Sequence, residues 1–330
     1  MKPPLLNAPV LLTFFVRPQT LRQVFAEIRK ARPRTLFLVA DGPRAGRPED
    51  RRLNEECKAI VADIDWECDV HRSYAETNQG ADFTAKAGLK WAFQTADRLI
   101  FLEDDILPTP GHFRFCEEML ERYKDDERIF MICGMNHLGE YHRPPSDYFF
   151  SRVGSIWGFA FWKRSFDLFD EGLDFVTDAY AMDLLREACP KPYRRGLLVV
   201  AARKRPSILA GEGIASFELV SGAAITLNSG LILVSSRNLI SCIGISDNSG
   251  HSVNSLLKLP KVTRNLFFMK THEPAWPLVH PTYVLRDAEY ERRVRAIMGR
   301  NALVKAWRRI ETRLRILAVG FYEKVTDKRH

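Results

Sequence analysis

The sequence lacks the patterns by which several common protein classes are identified. Its six cysteines include no Cys-x-x-Cys pair, so neither a zinc ribbon nor a disulfide framework is indicated. No apolar run approaches the roughly 20 residues that a helix needs to cross a bilayer. Neither a G-x-G-x-x-G fingerprint after the first predicted strand nor a Walker phosphate loop is present, which disfavours the two common nucleotide-binding folds.

Composition and the N-terminal segment indicate a globular protein of a reducing compartment. The 330 residues are 46% apolar and 27% charged, which is enough for a substantial core. Residues 11–16 imitate the apolar core of a signal peptide, but Arg17 and Pro18 interrupt it and no small-residue cleavage site follows. Cysteines without a disulfide pattern are typical of reduced proteins. We therefore expect a cytoplasmic protein, with peripheral attachment to the inner face of the membrane as an open alternative.

The net charge of +8 is unevenly distributed along the chain. Residues 289–330 contain 12 Lys and Arg against 5 Asp and Glu, so most of the excess positive charge belongs to this segment. The charge therefore says little about what the rest of the chain binds. We expect one domain over residues 1–288, followed by a basic tail over 289–330.

The first hundred residues alternate predicted strands with predicted helices. Apolar runs indicate strands at 10–16, 35–40, 66–72 and 98–102. Between them, apolar residues recur at helical spacing; the predicted buried faces include Leu21, Val24, Phe25 and Ile28 in one helix, and Phe83, Ala87 and Trp91 in another. Such alternation predicts an α/β fold with a Rossmann-like, mostly parallel central sheet flanked by helices.

The second half of the chain gives weaker signals. A helix is predicted at 113–123, and strands are predicted at 129–134, 148–152, 158–162 and 231–234. The turn between the predicted strands at 148–152 and 158–162 contains Trp157. Residues 170–215 are rich in charge, Pro and Gly, and the pattern predicts an irregular segment there.

The apolar run of residues 99–102 continues directly into Glu103, Asp104 and Asp105. In an open α/β sheet, the carboxyl ends of the strands form the edge where ligands bind. Three adjacent carboxylates repel one another unless a cation or a ligand group neutralises them. Mg²⁺ and Mn²⁺ suit carboxylates and diphosphate oxygens. The alternative is a helix N-terminus, where acidic residues simply favour the helix dipole.

Six short motifs in the same order resemble a known family. They are Pro-Val-Leu-Leu-Thr-Phe-Phe-Val-Arg-Pro at 9–18, Ala-Asp-Gly-Pro at 40–43, Asn-Gln-Gly at 78–80, Phe-Leu-Glu-Asp-Asp at 101–105, Ser-Ile-Trp-Gly-Phe-Ala-Phe-Trp-Lys-Arg at 155–164 and Asn-Leu-Ile-Ser-Cys-Ile-Gly at 238–244. The chain thereby resembles the nucleotide-diphospho-sugar transferases of GT-A fold over residues 8–255. It is most similar to bacterial glycosyltransferases related to the N-acetylglucosaminyltransferase I group, some of them termed hemolytic-protein-like.

The resemblance implies a nucleotide-sugar half at about 8–135 and an acceptor half at about 136–255. Asp41 would accept hydrogen bonds from the nucleotide base or ribose. The loop at Asn78 would border the nucleotide, and Lys86 would approach its diphosphate.

The resemblance also implies a bound metal ion. Glu103, Asp104 and Asp105 would form the family's D-x-D-type motif. Asp105 would bind Mn²⁺ or Mg²⁺ directly, whereas Asp104 and Glu103 would contact ribose and groups around the metal. His251 lies in a loop in which relatives commonly carry a histidine near the metal, although it is otherwise an ordinary loop residue.

An inverting transfer further requires a carboxylate that deprotonates the acceptor hydroxyl. Relatives place an Asp in a Ser-Trp-Asp-like segment ahead of the final strand, and Ser216-Phe217-Glu218 occupies that place. Glu218 is therefore the predicted base, with a solvated or ion-paired glutamate as the alternative. Trp157 and Gly158 are predicted to form a platform for the acceptor sugar, because aromatic rings cover apolar sugar faces; a buried core tryptophan is the alternative.

Residues 301–321 predict a basic amphipathic helix, with apolar residues at helical spacing and arginines around them. Such a helix can lie in an anionic membrane interface, or it can pack on the main domain or on a second subunit. No base-reading module accompanies the positive charge, so we do not expect nucleic acid as a partner.

The sequence therefore predicts a metal-dependent, inverting glycosyltransferase. It would transfer sugar from a nucleotide-diphosphate donor to a glycan or lipid-linked acceptor in surface polysaccharide synthesis. A non-catalytic nucleotide- or glycan-binding protein of the same fold is the alternative. A nucleotidyltransferase is disfavoured, because a Gly-rich triphosphate loop is missing after the first strand, where Arg17-Pro18-Gln19-Thr20 stands instead.

Overall fold

The computed structural model of the chain describes residues 1–188, 191–245, 259–298, 307 and 310–315. The strands within these residues are β1 (Val10–Phe14), β2 (Thr35–Ala40), β3 (Asp69–Tyr74), β4 (Arg98–Glu103), β5 (Ile106–Pro108), β6 (Ile129–Cys133), β7 (Tyr148–Ser151), β8 (Phe159–Trp162), β9 (Leu231–Ser235) and β10 (Ile240–Cys242). The helices are α1 (Pro18–Ala31), α2 (Pro48–Ala62), α3 (Ala81–Ala92), α4 (Pro110–Arg122), α5 (Lys163–Phe166), α6 (Ala179–Ala188), α7 (Lys191–Leu209), α8 (Phe217–Leu227), α9 (Lys261–Arg264) and α10 (Ala288–Met298), with a 3-10 turn at Asp174–Thr177.

Eight strands form one sheet in the order β3-β2-β1-β4-β8-β6-β9-β7. The first four run parallel, with Leu12 of β1 opposite Leu38 of β2 on one side and Leu102 of β4 on the other. This arrangement follows from the helices that connect these strands, since a helical crossover returns the chain to the same end of the sheet. β8 and β7 join antiparallel. The predicted α/β fold, with a mostly parallel sheet flanked by helices, is confirmed.

Successive side chains of each strand point into two different cores, one on either side of the sheet. On β1, Val10, Leu12 and Phe14 point to the side covered by α1, α2 and α4, whereas Leu11 points to the side covered by α3, α8 and α10. All of these strand residues are almost completely buried. The period of two in a strand places successive side chains on opposite faces, and a sheet that is covered on both faces therefore has continuous apolar strands.

The predicted buried face of α3 was wrong at two of its three residues, whereas the third, Trp91, is partly buried and packs on Phe37. Phe83 is 40% exposed, and Ala87 is also exposed. The buried face instead contains Ala85, Gly88 and Leu89, and a side chain at Gly88 would meet Val39 of β2 at 3.0 Å. The helix lies so close to the sheet that small residues are needed at the contact, which a search for large apolar residues overlooks.

Two other sequence predictions also differ from the structure. The third strand begins at Asp69 rather than at Trp66, which is buried separately and donates a hydrogen bond from Nε1 to the Pro33 carbonyl (2.9 Å). Residues 170–215 are not irregular, because they include α6 and α7. Apolar residues of these helices pack with Leu219 and Val220 of α8 in a third cluster. Periodicity in this segment is obscured by its many charged residues.

The first part of the predicted basic tail packs on the main fold. Residues 288–298 form α10, in which Tyr290 and Val294 are fully buried. Most of the predicted amphipathic helix at 301–321 lies outside the described residues. Within the described part of that segment, Trp307, Ile310 and Leu314 are 49–64% exposed. None of the helices that the structure describes is long and apolar enough to cross a membrane.

Candidate functional site

Three acidic residues lie at the carboxyl edge of the sheet. Glu103 is the last residue of β4, and Asp104 and Asp105 form the turn into β5. β1 runs parallel beside β4, with Thr13 opposite Glu103. Because β2 lies parallel on the other side of β1, the residue that follows β2, Asp41, reaches the same edge.

Arg17 neutralises part of this acidic cluster. Its Nη2 atom lies 2.5 Å from Asp104 Oδ1, and its Nη1 atom donates a hydrogen bond to Asp105 Oδ2. Burial by itself lowers the pKa of Arg17, but the charges of Asp104, Asp105 and Glu103 outweigh it and raise the pKa above the ordinary value. The guanidinium therefore stays charged and joins the end of β1 to the end of β4.

One guanidinium does not balance three carboxylates. Burial, followed by the charges of Asp105 and Asp104, raises the pKa of Glu103 well above its ordinary value. Burial also raises the pKa of Asp104, although Arg17 and a hydrogen bond from the Phe15 amide (3.0 Å) oppose that effect. The cluster therefore favours an added proton or an added positive charge.

The described residues do not fit a metal ion bound by the protein alone. Among the parts of the chain that the structure describes, no three His, Cys, Asp or Glu side chains are arranged to bind one. One carboxylate oxygen of Asp105, the predicted metal ligand, accepts a hydrogen bond from Arg17. A side chain on Gly244 would overlap Asp105, so the peptide chain passes directly over this carboxylate. His251, the other predicted ligand, lies outside the described residues.

Asp41 organises the loop that follows β3. Its Oδ1 accepts hydrogen bonds from the amides of Gly42 (2.8 Å) and Gln79 (2.8 Å). Its Oδ2 accepts from the Gly80 amide (2.9 Å) and from Asn78 Nδ2 (2.7 Å). Asp41 and Asn78, which the resemblance assigns to the nucleotide, are thus hydrogen-bonded to each other, and the carboxylate is already fully hydrogen-bonded by the protein.

These elements enclose a cavity of about 210 Å³, which we call the edge cavity. It brings together four residues predicted from the sequence and several that sequence reasoning missed. The predicted ones are Asp41, Asn78, Glu103 and Asp104; the missed ones include Phe15, Arg17, Arg44 and Thr84. Phe15 and Arg17 directly follow the first strand, so the rule that parallel strands end at one edge was the signal that could have identified them.

The edge cavity combines positive charge with open hydrogen-bonding capacity. Arg44 lies 5.3 Å from the centre of the Phe15 ring and binds Asp50 through two hydrogen bonds. The Thr84 hydroxyl is buried and has no hydrogen-bond partner within the described residues. Guanidinium groups bind phosphate oxygens, and a buried hydroxyl without a partner favours a polar ligand. Because both arginines are ion-paired and carboxylates outnumber them in the cavity, this set of groups suits a polar anionic ligand that binds together with a cation.

Lys86 is buried and is not among the residues that line the edge cavity. It is 5% exposed, and its Nζ lies 3.1 Å from Glu171 Oε2, in the loop after α5. Lys86 therefore pairs with Glu171 in this structure, and its predicted approach to a diphosphate stays a prediction.

Glu218 lies close to the edge cavity but lines a different one. Ala81, at the start of α3, lines the edge cavity, and the next residue, Asp82, accepts a hydrogen bond from the Phe217 amide at 3.0 Å. Glu218 follows in the first turn of α8 and is exposed. It lines a second cavity of about 100 Å³, together with Arg152 and Arg295. The N-termini of α3 and α8 are thus joined by a hydrogen bond, and each lines one of the two cavities.

Trp157 and Gly158 lie beside the turn that contains the acidic cluster. The Trp157 ring is half-buried and packs on Phe267, with 5.3 Å between ring centres. Gly158 has φ +56, and a side chain there would come within 3.0 Å of Ile106, the first residue of β5. The left-handed backbone and the close approach both favour glycine at this position.

No protein-family model and no curated protein sequence matches this chain. Among solved structures, it is similar to a UDP-glucose pyrophosphorylase complexed with UDP-glucose, with a TM-score of 0.36 and 6% identity over 72% of this chain and 94% of that one. For a structure of apo UDP-glucose pyrophosphorylase, the TM-score is 0.35 and the identity 7%, over 71% of this chain and 93% of the other. Likeness at this level carries no argument about activity.

Proposed function

We propose that the protein is a nucleotide-sugar-dependent glycosyltransferase that inverts the configuration of the transferred sugar. The edge cavity would bind the nucleotide diphosphate, and Glu218 would act on the acceptor. The acceptor would be a glycan or a lipid-linked sugar in surface polysaccharide synthesis.

The observation that carries this proposal is the convergence of groups in the edge cavity. Arg17 and Arg44 line the cavity, and the Thr84 hydroxyl offers a further hydrogen bond. Carboxylates neutralise both guanidinium groups, so a diphosphate would bind here together with a cation. Asp41 acts here by fixing the loop at Asn78 rather than by contacting the base directly. These groups lie at the carboxyl edge of the parallel strands, where α/β sheets bind nucleotides.

In the proposed reaction, the Glu218 carboxylate takes the proton of the acceptor hydroxyl. The hydroxyl oxygen then forms a bond to the anomeric carbon from the face opposite the leaving group. The bond between that carbon and the phosphate oxygen breaks, and the electron pair leaves with the nucleoside diphosphate. Positive charge beside the diphosphate stabilises it as this bond breaks.

A requirement for Mn²⁺ or Mg²⁺ stays a prediction. When bound, such an ion would neutralise diphosphate charge. Arg17 lies against both Asp104 and Asp105, so the ion would have to compete with this guanidinium for Asp105.

A nucleotidyltransferase is less well supported. The connection between β1 and α1 is only residues 15–17, and it contains no glycine. A triphosphate-binding loop needs several backbone amides turned toward the phosphates, which usually requires glycines. The short connection instead directs Arg17 into the acidic cluster.

The experiment is a thermal-unfolding screen with nucleoside diphosphates and their sugar conjugates, each with and without Mn²⁺. A ligand at about 100 times its dissociation constant should stabilise the protein by roughly 2.7 kcal/mol. We expect one nucleotide family to stabilise the wild type and not Asp105→Ala. Asp125→Ala changes an exposed carboxylate in the turn after α4 and serves as the matched control.

The outcomes separate the candidate functions. Stabilisation by one nucleotide, followed by release of its diphosphate when an acceptor mixture is added, supports the transferase. Stabilisation without any turnover supports the non-catalytic binding protein instead. If no nucleotide stabilises the wild type, the edge cavity is not a nucleotide site and the proposal fails.

A further inference from the structure

The second cavity, which we call the arginine cavity, contains more positive than negative charge. It lies between the first turns of α8, the segment after β7 and the C-terminal end of α10. Its floor is apolar and includes Met131 and Ile232. Arg152 and Arg295 contribute guanidinium groups from two different elements.

Both arginines have unused hydrogen-bonding capacity. The Nε atoms of Arg152 and Arg295 are buried and have no hydrogen-bond partner among the described residues. Arg295 binds Glu291 through its Nη2 atom (2.8 Å). The guanidinium of Arg152 has no ion-pair partner within the described parts of the chain, although its backbone amide donates to Glu291 Oε1 (2.9 Å).

The acidic residues nearby do not balance these charges. Glu291 is nearly fully buried, and it also attracts Arg286 at 3.8 Å. The guanidinium groups of Arg286 and Arg295 therefore share one buried carboxylate. Glu218 lines the same cavity, but it forms no ion pair with either cavity arginine. A buried N–H donor that has lost water without gaining a partner is unfavourable, and an oxyanion is the ligand that best satisfies a guanidinium fork.

We propose that the arginine cavity binds an anionic group of the acceptor, either a phosphate monoester or a carboxylate. This inference rests on the proposed function, because it takes Glu218 as the residue that acts on the acceptor hydroxyl. An anion on Arg152 and Arg295 places the acceptor in the cavity that Glu218 lines, next to the N-terminus of α3 that borders the edge cavity. The acceptor substrate is therefore an acidic or phosphorylated saccharide rather than a neutral one.

The test measures the binding of inorganic phosphate and of acetate to the full chain without nucleotide, by titration calorimetry. We expect binding to the wild type, weakened about tenfold or more in Arg152→Gln and in Arg295→Gln, since each removes a charge-assisted hydrogen bond. Arg292→Gln is the matched control, because Arg292 is on the same helix and its side chain is 74% exposed. Arg152→Lys retains the charge and should restore part of the affinity.

The two anions distinguish the source of the ligand. Stronger phosphate binding indicates a phosphorylated acceptor, and stronger acetate binding indicates an acidic sugar; either one supports the site. Unchanged affinity in both Gln variants would overturn the inference, because the anion would then bind elsewhere. Loss of phosphate affinity in Arg17→Gln alone would place the anion in the edge cavity and would also overturn it.

The same variants separate this inference from the proposed function. Arg152→Gln and Arg295→Gln should leave stabilisation by the nucleoside diphosphate unchanged, because neither residue lines the edge cavity. In transfer assays, both variants should raise the KM for an anionic acceptor and leave the KM for the donor unaltered. Equal activity of wild type and variants on anionic acceptors would contradict the inference while leaving the donor site intact.

Discussion

Arg17 and Asp104 form an ion pair, with 2.5 Å between Nη2 and Oδ1, that connects the ends of two neighbouring parallel strands. The sequence places these residues 87 positions apart, and the pairing arises only because β1 lies beside β4. The other terminal nitrogen of the guanidinium, Nη1, donates a hydrogen bond to Asp105 Oδ2. A positive charge supplied by the chain itself thus lies where a metal ion was predicted.

Replacing Arg17 by Gln should destabilise the protein by about 3 kcal/mol, because buried carboxylates would lose their partner. Mn²⁺ should bind the variant more tightly than the wild type and should recover part of the lost stability. Urea unfolding with and without Mn²⁺ measures both effects. Arg22→Gln on the exposed side of α1 is the control. A variant that responds to Mn²⁺ no more than the wild type does would show that Arg17 and the metal do not compete.

Replacing Asp41 by Asn should lower stability by about 2 kcal/mol and abolish nucleotide binding. Asn presents one acceptor oxygen and an NH₂ group, so it cannot accept the four hydrogen bonds that Asp41 receives. Denaturant unfolding and nucleotide titration measure the two effects. Asp125→Asn is the control. Full nucleotide affinity in Asp41→Asn would mean that the loop at Asn78 does not contribute to the site.

Replacing Glu218 by Gln should lower the rate of sugar transfer by a factor of about 100 or more, because the amide cannot take a proton from the acceptor hydroxyl. Donor binding should be unaffected, since Glu218 does not line the edge cavity. Steady-state kinetics and a donor titration make the comparison, with the exposed Glu212→Gln as control. Unchanged turnover in Glu218→Gln would remove this residue from the mechanism.

His112 and His137 should each make the folded protein less stable as the pH decreases below about 6.5, whereas the raised pKa values of Glu103 and Asp104 act in the opposite direction. Burial lowers the pKa of His112 to about 3 and that of His137 to about 4, whereas an unfolded histidine titrates near 6.5. Between these values the unfolded chain binds protons that the folded chain does not, which favours unfolding. Each histidine contributes a slope of about 1.4 kcal/mol per pH unit in that window.

The urea midpoint of His112→Gln, measured between pH 7 and pH 4, should have a shallower pH dependence than that of the wild type. His142→Gln, with a side chain that is 73% exposed in the wild type, should not alter it. An identical pH dependence in His112→Gln and wild type would show that His112 gains its proton without unfolding.

Deleting residues 301–330 should abolish binding to liposomes that contain anionic lipid while preserving activity on soluble acceptors. Trp307, Ile310 and Leu314 are exposed, and exposed apolar residues between arginines suit an anionic membrane surface. Co-sedimentation with liposomes measures the binding, and gel filtration of the same two proteins measures oligomeric state. Equal sedimentation of both forms would exclude this role for the tail, and a change in oligomeric state alone would assign it to a subunit contact.

The sequence by itself determined the strands β1, β2 and β4 and the acidic residues at the end of β4. Continuous apolar runs in a sheet covered on both sides leave a strong local signal, and the residues that follow each strand are fixed by chain connectivity. The hydrogen bond between Asp41 and Asn78 was not predicted from the sequence. The roles proposed for Glu218, Trp157 and Gly158 follow from the resemblance to GT-A transferases and not from local pattern.

Only the tertiary structure decided which charges compensate one another. The partners of Asp104 and Lys86 come from other elements of the chain, and no local pattern encodes such pairings. Packing also decided which face of α3 is buried. The close contact with β2 leaves no room for a side chain at Gly88, so the face with Gly88 is buried and Phe83 is exposed. Propensity and periodicity describe single elements, whereas compensation of charge and closeness of packing are properties of the assembled fold.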